Sequence, residues 1–201
     1  VKRNSNLKSK LERVLNDEMH HERVLQNLLE ANETELQYIK SIIFGLNDGL
    51  VEILAIVVGL AIVATSGTVV ALAGTIAGIS GTLSMSGGAY LSAKSEKLVN
   101  KGRSKASTTP AKEAYFTGIY YFVGALLSIL PFAFGLSGYS GIAVSVVVVS
   151  LAIVIVSLLI SVISGVNAKN RIAEMLAISL GAAFVTILFS TFAKAYWHIS
   201  I

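Results

Sequence analysis

The sequence has no cysteine and few charged residues. Because none of its 201 residues is cysteine, disulfide bonds and thiolate metal sites are excluded. Charged residues make up 14% of the chain, whereas a soluble domain carries about 25%. The deficit is concentrated in three uncharged runs, residues 53–93, residues 114–168 and the segment between Glu174 and Lys194. This distribution predicts an integral membrane protein rather than a soluble domain.

The uncharged runs are long enough for five membrane helices, since about 20 apolar residues cross a bilayer core as a helix. The first run completes one span and holds a second, the middle run holds two, and the last run holds one. The predicted fold class is therefore all-α, a polytopic membrane protein with spans at residues 42–65, 69–93, 114–136, 141–166 and 172–195. Near the predicted span ends lie aromatic residues typical of an interfacial belt, namely Tyr115, Tyr120, Tyr121, Tyr196 and Trp197.

The first 40 residues are highly charged and contain neither proline nor glycine. Leucine and valine recur there at three- and four-residue steps, which is typical of a helix with one apolar face. We predict that residues 1–40 form a cytoplasmic amphipathic helix that continues without a break into the first span. Residues 41–198 are predicted to form a five-span domain. No apolar segment typical of a signal peptide occurs in the first 40 residues.

Lysine and arginine are distributed unevenly between the two sides of the predicted membrane domain. Seven fall in residues 1–40, six in the connection between the second and third spans, and two between the fourth and fifth. The other side carries only Lys194. Because cytoplasmic connections are enriched in basic residues, the N-terminus is predicted to be cytoplasmic and the C-terminus outside or luminal. The basic charge is thereby explained by membrane topology, and nucleic acid is not expected as a partner.

Asp48 and Glu52 are the acidic residues that fall well inside a predicted span. Being four residues apart, they lie on one face of the helix. Each charged carboxylate at membrane depth costs roughly 2.5 kcal/mol or more, and like charges at this spacing repel. A proton, a bound cation or a water-filled cavity must neutralise them, which favours a transport role. The alternative is that Asp48 lies at the cytoplasmic interface.

The second predicted span is slim and polar, with four hydroxyl residues and three glycines within residues 80–88. Met85 adds a thioether, and soft sulfur suits late or borderline transition metals better than Mg²⁺ or Ca²⁺. Plain packing is the alternative role for Met85. Small residues also recur four apart, which lets helices approach closely either within one subunit or across a homodimer interface. These close-packing candidates are Gly45, Gly49, Gly74 and Gly78.

Two long motifs resemble the signatures of the vacuolar iron transporter family. Residues 44–51 (Phe-Gly-Leu-Asn-Asp-Gly-Leu-Val) and 55–60 resemble its first-span signature. Residues 77–85 and 89–96 resemble its second-span signature, and residues 117–131 are similar to its third span. The resemblance extends over about residues 40–198 and includes the number of spans and the cytoplasmic N-terminus.

This resemblance implies a homodimeric exporter that moves Fe²⁺, with some Mn²⁺ activity, out of the cytosol in exchange for protons. It implies a pore between the subunits, lined by the first two spans, with Asp48 and Met85 as metal ligands. The metal ion is then the substrate, and no cofactor is expected. An enzyme is not expected either, because no histidine or second acidic cluster lies well inside the predicted spans.

The sequence departs from the family pattern at several places. Ser41 stands where many members have an acidic residue, and Glu52 stands where they have a small hydroxyl residue, so proton coupling is left open and Glu52 becomes a third metal-ligand candidate. The connection between spans two and three is short and holds two acids, Glu96 and Glu113, which are candidates for cytoplasmic metal entry. A member lacking the Glu-rich cytoplasmic domain is expected in a prokaryotic cell membrane.

Glu18 and His21 form a Glu-x-x-His pair on the N-terminal helix, a spacing used in ferritin-like di-iron bundles. Some relatives carry a ferritin-like domain ahead of the membrane part, and a chain starting at Val1 is expected to be the tail or remnant of such a fusion. The alternative is a solvated helix with surface histidines. At the level of function, the alternative to transport is a membrane anchor whose N-terminal helix binds a partner.

Overall fold

The computed structural model describes residues 2–99, 109–165 and 167–197, which form five α-helices. The helices are α1 (Lys2–Val63), α2 (Gly67–Val99), α3 (Pro110–Ala133), α4 (Gly138–Ser164) and α5 (Ala168–Trp197). Each contains a stretch that is long and apolar enough to cross a membrane, and the described ranges contain no β-strand. The prediction of an all-α membrane protein with five spans is confirmed.

The first helix is unusually long, because its polar and apolar parts form one continuous helix of 62 residues. At 1.5 Å per residue, this helix is about 93 Å long. Its apolar part is Glu35–Val63, so the part formed by residues 2–34 extends beyond the membrane-spanning region. No break in α1 marks the boundary between residues 40 and 41, and that domain boundary stays a prediction.

The pair α1 and α3 forms the centre of the bundle. Gly45 and Gly49 are buried against the backbone carbonyl groups of Thr117 and Tyr121, where a Cβ atom on either glycine would collide. Both contacts advance by four residues in the same direction, so α1 and α3 run parallel. Gly124 of α3 makes the reciprocal contact against the backbone of α1. This approach of two backbones requires small residues on both helices.

Small residues of α2 face α3 in the opposite direction. The contacts pair Gly74 with Ile129, Gly78 with Ala125, and Gly81 with Tyr121. Residue numbers fall on α2 as they rise on α3, so the two helices are antiparallel. Contacts of α2 with α1 are less extensive than those with α3. As a result, α1 and α2 stand side by side on α3 with a groove between them.

Buried serine hydroxyls connect α4 to the central pair. The Ser145 hydroxyl donates a 2.8 Å hydrogen bond to the Ser128 carbonyl, and the Ser128 hydroxyl donates a 3.2 Å bond to the Leu50 carbonyl. All three side chains are fully buried. Because lipid supplies no hydrogen-bond partners, such bonds must be made inside the protein. These bonds hold the part of α1 around Asp48 against α3 and α4.

The far end of α1 is held by α5. Lys194 Nζ donates a 2.7 Å hydrogen bond to the carbonyl of Ile62, one residue before α1 ends. The last carbonyl groups of a helix lack partners within the helix and carry partial negative charge, so a lysine there is favourable. This contact fixes the C-terminal end of the central helix.

Large apolar side chains cover the outer faces of the bundle. Leu83 on α2, Val162 on α4 and Phe184 on α5 are each more than 60% exposed. Faces of this kind are stable against lipid tails and unstable against water. Together with the five apolar helices, they identify a multi-pass integral membrane protein.

Candidate functional site

The groove between α1 and α2 has α3 as its floor and contains most of the candidate site residues. We call it the polar groove and define it by the side chains that carry its chemistry. These are Ser41, Asp48 and Glu52 of α1, Met85 of α2, and Glu113, Thr117 and Tyr121 of α3. At the end towards the N-terminal part of α1, it widens into a cleft of about 570 Å³ lined by Ser41, Met85 and Glu113 among others.

Three helices meet at Glu52. The Tyr121 hydroxyl donates a 2.8 Å hydrogen bond to Glu52 Oε2, and the Tyr121 side chain is fully buried. Gly81 of α2 makes room for this hydroxyl, because a Cβ atom at Gly81 would collide with it. The tyrosine therefore orients the Glu52 carboxylate from the floor of the groove.

The aromatic-belt assignment of Tyr121 was wrong, since this side chain is buried in the bundle. Tyr115, Tyr196 and Trp197, by contrast, are well exposed at helix ends. Tyr121 lies 69 residues from Glu52 in the sequence, and nothing local links the two. The sequence feature that comes nearest to predicting this contact is Gly81, which lies in a hydroxyl-rich segment. A glycine there indicates that another side chain packs closely against α2, but it does not say which one.

Asp48 and Met85 lie at one level of the groove. Asp48 is four residues before Glu52 on α1, and Met85 is four residues after Gly81 on α2. Glu52 and Gly81 both lie beside the Tyr121 hydroxyl. Because α1 and α2 are antiparallel, going four residues back from Glu52 and four residues forward from Gly81 leads about 6 Å in the same direction along the membrane normal. The register continues to the rim, where Gln37 Nε2 donates a 3.2 Å hydrogen bond to Glu96 Oε2.

The three metal-ligand candidates thus lie on adjacent turns of one groove. Asp48 and Met85 are half-buried, whereas Glu52 is exposed on the open side of the groove. Carboxylate oxygen and thioether sulfur at one level make a mixed donor set that suits Fe²⁺ or Mn²⁺ better than Mg²⁺.

Glu113 lies on the groove floor in the first turn of α3 and is 7% exposed. Its Oε1 atom has no hydrogen-bond partner within the ranges that the structure describes. A buried carboxylate oxygen without a partner is unfavourable, and a cation beside it would remove that penalty. Glu113 therefore has the chemistry of a cation ligand at the wide end of the groove.

Tyr38 of α1 fixes the start of α3 near Glu113. Its hydroxyl accepts a 3.2 Å hydrogen bond from the backbone N–H of Thr109, and its ring packs on Phe116 with centroids 5.5 Å apart. These contacts hold the first turn of α3 against α1. They explain how the wide end of the groove keeps its shape.

The other predicted entry residues lie away from the groove floor. Glu96 is exposed at the rim and is held by Gln37. Glu18 and His21 are exposed on the polar part of α1, and the 23 residues from Glu18 to Ser41 correspond to about 35 Å of helix. The structure does not bring this pair to the groove.

Among the described residues, no three His, Asp or Glu side chains come close enough to hold a metal ion by themselves. A full ligand set in one chain would therefore need the Met85 thioether, hydroxyl groups or water. The groove supplies one hydroxyl from each of its three helices, at Ser41 of α1, Ser84 of α2 and Thr117 of α3.

The comparison with known families covers the whole groove. The model of the VIT family matches residues 39–107 and 97–191, which together make up more than half of the chain. Glu18 and His21 lie outside the matched ranges. No curated protein matches the chain.

Proposed function

The chain belongs to the vacuolar iron transporter (VIT) family, and we propose that it carries Fe²⁺ or Mn²⁺ out of the cytosol along the polar groove. Members of this family move metal ions across membranes, which favours transport over the alternative of a membrane anchor. The choice of metal, the direction of transport and the exchange for protons are parts of the proposal.

The observation that carries the proposal is that polar groups follow one another along the length of the groove. Glu113 and Met85 line the wide end, Asp48 lies on α1 at the level of Met85, and Glu52 follows one turn deeper, held by Tyr121. Successive groups on one helix are about 6 Å apart along the membrane normal. A divalent ion could pass from one carboxylate to the next without crossing an apolar layer.

Protons are the ions that this pair of acids is best suited to exchange for the metal ion. With a metal ion bound, Asp48 and Glu52 can both be charged. Once the ion leaves, two carboxylates on adjacent turns repel each other, and protonation of one removes the repulsion. We propose that protons entering from the far side reset the site in this way.

A second copy of the chain is proposed to close the groove. Glu52 and the α2 residues Ser80 and Ser84 are exposed, although they lie within membrane-spanning segments. Lipid would leave these polar groups unsatisfied. A two-fold dimer that joins two grooves would cover them and double the number of carboxylate and thioether ligands.

The peripheral residues have subordinate roles in the proposal. Glu96, at the rim, attracts cations to the wide end of the groove. Glu18 and His21 stay candidates for metal capture on the polar part of α1. The cytoplasmic position of that part rests on the charge distribution, and a prokaryotic cell membrane as the location rests on the short connection between the second and third spans.

The test is metal uptake into vesicles reconstituted with the full chain. Asp48→Asn should lower Fe²⁺ flux about tenfold or more, since losing 1.4 kcal/mol of binding is a tenfold effect. Glu35→Gln removes an exposed carboxylate from the same helix and should leave flux unchanged. Normal flux in Asp48→Asn would contradict the proposal. An imposed pH gradient should accelerate flux only if protons are exchanged.

A further inference from the structure

A second cleft of about 470 Å³ lies on another face of α1, between α1, α4 and α5. We call it the basic cleft. Its walls are apolar along most of their length, with Ile43 and Leu50 from α1, Ile153, Val156 and Ile160 from α4, and Met175 from α5. Lys40 and Arg171 lie at one end of it. It therefore combines a long apolar slot with a positively charged mouth.

The charge of Arg171 at this mouth is poorly compensated, whereas Lys40 also lines the wide end of the polar groove together with Glu113. Arg171 Nε is buried and has no hydrogen-bond partner among the residues that the structure describes. The acid nearest in the sequence, Glu174, is 62% exposed and approaches Arg171 Nη1 only to 3.9 Å. A guanidinium group carries five N–H donors in a planar fork that matches the oxygen atoms of a phosphate. The mouth is thus built to receive an anion.

The mouth also lies at the depth of lipid headgroups. Lys40 falls five residues inside the apolar stretch Glu35–Val63, and Arg171 lies in the first turn of the span Ala168–Trp197. Both are therefore close to the points where their helices enter the membrane, on the same side of it. The apolar walls continue from there towards the bilayer centre.

We propose that the basic cleft binds an anionic phospholipid. The phosphate lies against Arg171 and Lys40, and an acyl chain runs along the partly exposed side chains of Ile43, Val156 and Met175 between α1, α4 and α5. A free phosphate would satisfy the cations but leave the slot empty, and a lipid without net charge would leave the mouth uncompensated. Basic pockets between membrane helices have the chemistry that binds such headgroups. The proposal does not depend on metal transport.

The test is lipid binding to the full-length protein in detergent, followed by native mass spectrometry. Phosphatidylglycerol and phosphatidylcholine with the same acyl chains serve as probes. Each basic residue near a charged headgroup contributes about a fivefold increase in affinity. Wild-type protein should therefore bind phosphatidylglycerol at least fivefold more tightly than phosphatidylcholine. Arg171→Gln should lose about fivefold in phosphatidylglycerol affinity.

The matched control is Lys169→Gln, which removes an exposed cation two residues away that does not line the cleft. It should bind both lipids as the wild type does. A second variant, Val156→Trp, fills the slot while keeping both cations and should also weaken phosphatidylglycerol binding. Melting curves in neutral lipid show whether each variant is folded.

Three outcomes would overturn the proposal. The first is equal affinity of the wild type for the two lipids. The second is an equal loss in Lys169→Gln and Arg171→Gln, which would mean diffuse surface charge. The third is full competition by millimolar inorganic phosphate together with unchanged binding in Val156→Trp, which would mean a simple anion site.

Discussion

The Tyr121 hydroxyl donates a 2.8 Å hydrogen bond to Glu52 Oε2 within the membrane-spanning region. A carboxylate can accept several hydrogen bonds, so the bond to Tyr121 leaves Oε1 available for a metal ion or a proton. The tyrosine therefore fixes the direction of the carboxylate without using up its ligand capacity. Glu52 is supported by a residue on another helix.

Tyr121→Phe removes this hydrogen bond and keeps the ring. We expect the KM for Fe²⁺ to rise about tenfold, because a hydrogen bond to a charged group contributes about 1.5 kcal/mol or more. The measurement is initial flux against Fe²⁺ concentration in vesicles. Tyr120→Phe, which changes the half-buried neighbour, is the control. Equal kinetics for the two variants would show that the hydroxyl of Tyr121 does not act on the site.

Gly81→Ala places a methyl group against the Tyr121 hydroxyl. Overpacking of this kind costs about 1–3 kcal/mol, so the melting temperature and the flux should both fall. Gly181→Ala is the matched control, since a Cβ atom there meets nothing within 4 Å. The control should be neutral or slightly stabilising, because alanine favours helix over glycine. A stable, active Gly81→Ala protein would mean that the Tyr121 ring is placed differently.

Met85→Leu conserves volume and removes the sulfur atom. Fe²⁺ binds thioether and nitrogen ligands more strongly than Mn²⁺ does, so Fe²⁺ flux should fall further than Mn²⁺ flux. The ratio of the two fluxes in parallel uptake assays is the measurement. Met175→Leu, outside the polar groove, is the control. An unchanged ratio in Met85→Leu would assign Met85 to packing alone.

Glu113→Gln removes a buried charge and keeps the shape of the side chain. We expect the melting temperature to hold or rise, because the carboxylate Oε1 has no partner among the described residues. Uptake at low Fe²⁺ should fall, while the maximal rate should change less, since Glu113 acts at entry. Glu174→Gln, on the exposed face of α5, provides the comparison. A marked loss of stability would instead indicate that Glu113 is a structural residue.

The spans were predictable because bilayer thickness imposes a length that a local sequence window reveals. Their ends were less so. The second span was predicted to end at residue 93, whereas α2 continues to Val99, because charged residues outside the membrane are good helix formers. The third was predicted to reach residue 136, but α3 ends at Ala133. The helix ends early because Pro131 lacks a backbone N–H and because Gly135, two residues after the end of α3, adopts a left-handed conformation with φ of 89°.

Residues of the candidate site stand out in the sequence where charge alone marks them, as for Asp48 and Glu52. It was not predictable where function depends on contacts between helices. Gly45 and Gly49 were expected to pack closely, but their partner, the backbone of α3 at Thr117 and Tyr121, has no local signal. The role of Tyr121 follows from the same tertiary contact.

The unbroken first helix has a mechanical consequence. The part before Glu35 is about 50 Å long, and a tilt of 10° about the membrane surface moves its tip by about 9 Å. Because no hinge separates this part of α1 from the groove, a push or twist applied near Lys2 is delivered as torque to the turns that carry Asp48 and Glu52. A partner that binds the N-terminal part of α1 could therefore change the geometry of the polar groove from about 50 Å away.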